Sequence, residues 1–71
     1  MALRDELEHL VDNMVTRGIR YNDAQREFEK RFIARALAGT DGNLGKAASL
    51  LGMHRNTLSR KMAEYRLRRS A

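Results

Sequence analysis

A chain of 71 residues with no cysteine has room for one domain with a small core, and neither disulfides nor a thiolate metal site can staple it. Fourteen Lys and Arg stand against nine Asp and Glu, and the surplus is lopsided: residues 1–42 carry seven bases and eight acids, whereas residues 43–71 carry seven bases and Glu64 alone. A segment netting +6 attracts polyanions, and apolar runs of at most three residues exclude a membrane span and a signal-peptide core, which fits a soluble, cytoplasmic protein.

The absence of proline and the abundance of Leu, Ala, Glu, Lys and Arg favour helices throughout, hence an all-α fold of four helices. In the first segment Leu3, Leu7, Leu10 and Met14 recur every three or four residues, with Val11 and Val15 widening the stripe. Asp5, Glu6, Glu8, Asp12 and Arg17 take the other face, and His9 among the acids belongs at the surface or a dimer rim. Met1-Ala2 fits a native beginning, and Gly18 marks the helix stop.

Asn22 or Asp23 can cap a second helix, with Gln25 three residues after Asn22 giving a capping-box pattern. Along it Phe28 and Phe32 form an i, i+4 pair, joined by Ile33, Ala36 and Leu37, until the Gly-Thr-Asp-Gly cluster at 39–42 ends it. Two helices of this length cannot hide both stripes against each other and a short helix pair. A two-fold dimer with a four-helix-bundle core closes that gap, and its dimerisation residues are Leu3, Leu7, Leu10, Val11, Met14, Phe28, Phe32, Ile33 and Leu37. The other arrangement is a monomeric four-helix domain with some exposed Leu and Phe. Residues 1–42 are thus the dimerisation part, and 43–71 the second part of one cooperative domain.

Asn43 suits an N-cap, and Leu44, Ala47, Ala48 and Leu51 follow on one face of a helix of about two turns. Gly52 can take a positive φ and reverse the chain, and the small Ala48 lets the next helix approach closely. Leu58, Met62 and Tyr65 supply the inner stripe of that next helix, while Met14, Met53 and Met62 read as core filler. At 100° per residue, Asn56 and Arg60 then point away from the core, with Arg55 and Ser59 on one flank and Thr57 and Lys61 on the other. Arg can bond bidentately to guanine or phosphate, Asn can pair with adenine, and Ser or Thr can donate to phosphate oxygens. A merely solvated face would interleave Glu with Lys, yet only Glu64 is acidic here.

His54 falls in the turn, where it serves as an exposed cap or touches phosphate. Arg66, Arg68 and Arg69 form either an extension along phosphates or a frayed tail. His9 and His54 are too far apart for a structural metal site, so no metal or cofactor is expected. The acids of the first helix have no partner nucleophile, and no enzyme activity is expected.

The run Ala47-Ala48-Ser49-Leu50-Leu51-Gly52-Met53-His54-Arg55-Asn56-Thr57-Leu58-Ser59-Arg60-Lys61-Met62 resembles the Fis-type helix-turn-helix family, which includes the C-terminal domains of NtrC-like enhancer-binding activators. Residues 3–19 and 22–39 look like that family's two long dimerisation helices. The resemblance implies an intertwined homodimer whose two recognition helices enter successive major grooves. They sit closer together than one DNA turn, so binding implies bending the duplex or selecting a compressible central minor groove. DNA contacts carry over to Asn43, Arg55, Thr57, Arg60 and Lys61 by residue type or charge, and Lys46, His54, Asn56 and Ser59 complete the candidate set. Arg55 is the candidate base reader, Asn43 and Thr57 are phosphate contacts, and Arg60 and Lys61 contact backbone or base edges. Gly45, His54 and Ser59 stand where Fis itself has a hydroxyl, an Asn and an Arg. The implied partners are double-stranded DNA and a second copy, with transcription machinery as a further candidate. The implied role is a bacterial transcription regulator or nucleoid-associated protein. The alternatives are the DNA-binding end of a larger activator, or a helical module for RNA or an acidic protein. No aromatic platform for single-stranded bases supports the last.

Overall fold

The computed structural model describes residues 2–68, so Met1 and, in the basic tail, Arg69 lie outside the described residues. Four helices and no strand occur among them: α1 Leu3–Thr16, α2 Tyr21–Gly39, α3 Leu44–Leu51 and α4 Arg55–Tyr65. No helix is long and apolar enough to cross a membrane.

All four helices end by one device. A residue in the left-handed region lets its own N–H and that of the residue after it fold back onto the last carbonyls, which satisfies acceptors the helix leaves open. After α1, Gly18 (φ 76°) donates to the Val15 carbonyl and Ile19 to that of Met14, each at 3.0 Å. After α3, Gly52 (φ 70°) donates to Ser49 and Met53 to Ala48. Asp41 and Arg66, with φ of 54° and 55°, play the same part after α2 and α4 without the freedom of glycine. In α3 and α4 the motif also has packing value, because Met53 and Leu67, the residues just past the reversal, rest against the core.

The start of α2 differs from the capping-box expectation. The helix begins at Tyr21, and Arg20 holds the cap position with no side-chain hydrogen bond, so Asn22 and Asp23 lie inside the first turn. Asp23 still acts favourably there, its charge facing the positive end of the helix dipole.

The core of one chain consists of Ile33, Ala36 and Leu37 from α2, Leu44, Ala47 and Ala48 from α3, and Leu58 and Met62 from α4. Ile33 and Leu58 are the largest side chains in it that are fully buried, each contributing about 1.5–3 kcal/mol of transfer free energy. Ala47 and Ala48 are buried between these side chains, where a longer residue would hold α3 away from its neighbours. Ile33 and Leu37, expected at a dimer interface, instead spend their surface on α3 and α4 of their own chain. The apolar face of α2 is divided: Ile33, Ala36 and Leu37 point to the helix pair, while Phe28 and Phe32 stay more than half exposed, their rings 5.4 Å apart and tilted by 55°.

α1 has no such core. None of its residues is buried; Leu3, Leu7, Leu10, Val11 and Val15 are all exposed, and only Met14 is half-buried. Together with Ile19, Phe28 and Phe32 they leave an apolar surface on the α1 and α2 end of the chain that the single copy does not cover.

Candidate nucleic-acid interface

α3, the Gly52-Met53-His54 turn and α4 form a helix-turn-helix, with α4 offering its outer face to solvent. Both helices start on side-chain caps. Asn43 Oδ1 accepts from the Lys46 N–H at 3.0 Å, and the amide NH₂ of Asn43 keeps its two donors. His54 Nδ1 accepts from the Asn56 N–H at 3.1 Å, which makes His54 the cap of α4. With Nδ1 engaged by the cap, Nε2 is the ring nitrogen left to meet an incoming group.

Leu58 and Met62 anchor α4 inward, so Asn56, Ser59 and Arg60 are exposed, as is Arg55 at its first turn. Lys46, Asn43 and His54 are exposed on the same helix pair, and Thr57 is half-buried. The outer face of α4 therefore combines two guanidinium groups, an amide and a hydroxyl, and the first-turn N–H groups of a helix favour anions. Gly45 lies in the first turn of α3, and a Cβ built there would come no closer than 3.6 Å, to Asn43 Oδ1.

Lys61 is placed differently from the other cations. Its Nζ donates to Glu29 Oε2 on α2 at 3.1 Å, and both side chains are about three-quarters covered. The other oxygen of the same carboxylate accepts the Tyr65 hydroxyl at 2.6 Å. Those two donors, Tyr65 first and Lys61 second, hold the Glu29 carboxyl below its ordinary pKa. The Glu29 carboxylate in turn pushes the Tyr65 phenol up to about 12. Alongside, Arg26 pairs with Glu64 at 3.2 Å and lies 5.2 Å from the centre of the Tyr65 ring. Arg26 and Glu29 on α2 thus meet Lys61, Glu64 and Tyr65 on α4. Sequence patterning found none of these pairings. Its one usable signal is that Lys61 and Tyr65, four apart, share a helix edge, but nothing local says that α2 carries their acceptor.

Residues 24–65 match the family described as bacterial regulatory protein, Fis family. The chain is 40% identical over 62 residues to the DNA-binding transcriptional regulator NtrC of Azospirillum brasilense, a match covering 87% of this chain and 13% of that protein. It is 45% identical over 47 residues to a protein of Xylella fastidiosa (strain Temecula1) named as a Fis-like DNA-binding protein, covering 66% of this chain and 52% of the relative. The NtrC of Proteus hauseri is 51% identical over 43 residues, 61% of this chain and 9% of that protein. The chain therefore spans about half the length of the Fis-like relative and a small part of the NtrC proteins. No solved structure gives a significant match.

Proposed function

The chain belongs to the Fis family of bacterial regulatory proteins, and from that premise we propose that two copies of it bind double-stranded DNA with a sequence bias, as a transcription regulator or nucleoid-associated protein of the bacterial cytoplasm. The observation that carries this is the outer face of α4, where Arg55, Asn56, Ser59 and Arg60 stand exposed on a helix whose opposite side is fixed in the core. Arg55 reads base edges from the first turn. Arg60 and Asn56 reach backbone or base edges, and Asn43, Lys46, His54, Thr57 and Ser59 bind phosphates.

The second copy is the occupant of the uncovered apolar surface. Leu3, Leu7, Leu10, Val11 and Met14 of α1, with Phe28 and Phe32 of α2, form a bundle core with their counterparts by two-fold packing. Division of labour within the chain is then by face rather than by segment, because α2 serves the dimer with its phenylalanines and the helix pair with Ile33 and Leu37. Two linked copies of α4 engage successive major grooves, and the duplex bends to meet them.

The test is a binding titration of a random-sequence duplex over a range of salt. Log affinity should fall linearly with log salt, by roughly 0.9 per phosphate neutralised. Absent or salt-insensitive binding removes the proposal. A second reading, the same unit as the DNA-binding part of a larger regulator, is favoured by the match of 87% of this chain to NtrC. Both readings assign α4 the same work.

A further inference from the structure

Among the exposed patches, paired charges and reversals of this molecule, one feature acts on the proposed DNA face without belonging to it: the Glu29 carboxylate on α2. Charge and helix position alone would add Lys61 to the phosphate-binding cations. Its ammonium, however, is engaged 3.1 Å from Glu29 Oε2, on the edge of α4 that faces α2. The carboxylate is itself held in place by a 2.6 Å bond from Tyr65, one turn along the same helix. Each carboxylate oxygen thus has its own donor, and swinging Lys61 toward a phosphate would leave a largely covered carboxylate with one of its two partners.

We propose that Glu29 is a positioning residue that withholds Lys61 from DNA, and thereby sets how much of the affinity is sequence-independent. Resting on the DNA-binding role proposed above, this gives the chain one phosphate contact fewer per copy than its charge count suggests. Non-specific attraction scales with the number of phosphates neutralised, whereas base readout by Arg55 does not. Pairing Lys61 internally therefore lowers the background against which sequence preference is expressed. The same pair of bonds ties α4 to α2 beside the Leu58 and Met62 anchors that keep Asn56 and Arg60 outward.

The experiment compares the salt dependence of random-duplex binding for the whole chain and for Glu29→Gln, Lys61→Gln and the double variant. Gln at position 29 still accepts the Tyr65 hydroxyl but no longer holds an ammonium by charge. Glu27→Gln, on an exposed stretch of α2, controls for the change in net charge alone. Glu29→Gln should steepen the log–log slope by about 0.9 per copy relative to Glu27→Gln and raise random-duplex affinity. Lys61→Gln should leave the parental slope unchanged in the presence of Glu29, and should cancel the gain in the double variant. A parental slope that becomes shallower on Lys61→Gln places Lys61 on phosphate and overturns the proposal while DNA binding stands. A Glu29→Gln slope equal to that of Glu27→Gln, with or without loss of thermal stability, reduces Glu29 to a structural tie and also overturns it. A parent that shows no salt-dependent binding removes the proposed function, and this inference with it.

Discussion

The Tyr65 hydroxyl donates to Glu29 Oε1 at 2.6 Å, tying the last turn of α4 to the middle of α2. Glu29→Gln should lower the Tyr65 phenol from about 12 toward its ordinary 10.0, as followed by NMR of the labelled tyrosine rings. A midpoint unchanged by the substitution would sever the link between the two groups.

The same bond gives stability a defined pH window. Glu29 is depressed below 4.5 in the fold, so its contribution is present above that value and lost as pH falls through the folded pKa. Tyr65 is raised, so its contribution is present below pH 10.0 and lost as pH climbs toward 12. The difference in urea midpoint between the parent and a Glu29→Gln, Tyr65→Phe double variant should be widest between those limits and shrink at both ends. A difference constant across pH would show that neither ionisation is coupled to folding.

Asn43 is expected to have two separable roles, the cap of α3 and a contact to phosphate. Asn43→Ala removes the cap and should cost about 1 kcal/mol of stability. Asn43→Asp keeps an oxygen for the Lys46 N–H, so the fold should lose only a few tenths of a kcal/mol. Its negative charge should nonetheless weaken duplex binding by roughly tenfold or more, the equivalent of about 1.4 kcal/mol. Denaturant midpoints and duplex titrations of the two variants check this, and parallel losses in both assays would deny a phosphate role to Asn43.

Phe32 and Leu58 are both large and apolar, yet the fold treats them oppositely. Leu58 is fully buried, and Leu58→Ala should cost about 2–5 kcal/mol, enough to unfold much of a domain this small. Phe32 is 55% exposed in one chain. Phe32→Asp should therefore keep its helical circular dichroism while its sedimentation mass drops from two chains to one. A parental mass in the variant would show that the bundle interface lies elsewhere.

Residues 43–65 were the part most legible from sequence, because their signals are local. An Asn before a helix, a glycine at its end and apolar residues three and four apart each act within one turn, and Asn43, Gly52 and the Leu58 and Met62 stripe behave as those patterns imply. Even His54 as a cap followed from its place in the turn. The partner of an apolar stripe is a different kind of information. Periodicity marks Ile33, Leu37, Phe28 and Phe32 as one apolar group on α2, but only the approach of α3 decides that the first two are used within the chain. The start of α2 was misplaced because Asn22 and Gln25 offer a cap that the chain does not use, the helix having already begun at Tyr21. Glu29 and Lys61, separated by 32 positions, meet only through the α2 and α4 packing, which no local rule contains.

Selection of bound duplexes from a random pool tests most directly whether two copies of α4 read DNA together. The enriched sequences should contain two inverted half-sites at a fixed spacing, with a centre of easily deformed composition between them. Enrichment of a single unpaired motif, or none over the starting pool, would contradict the paired reading heads on which the proposed function depends.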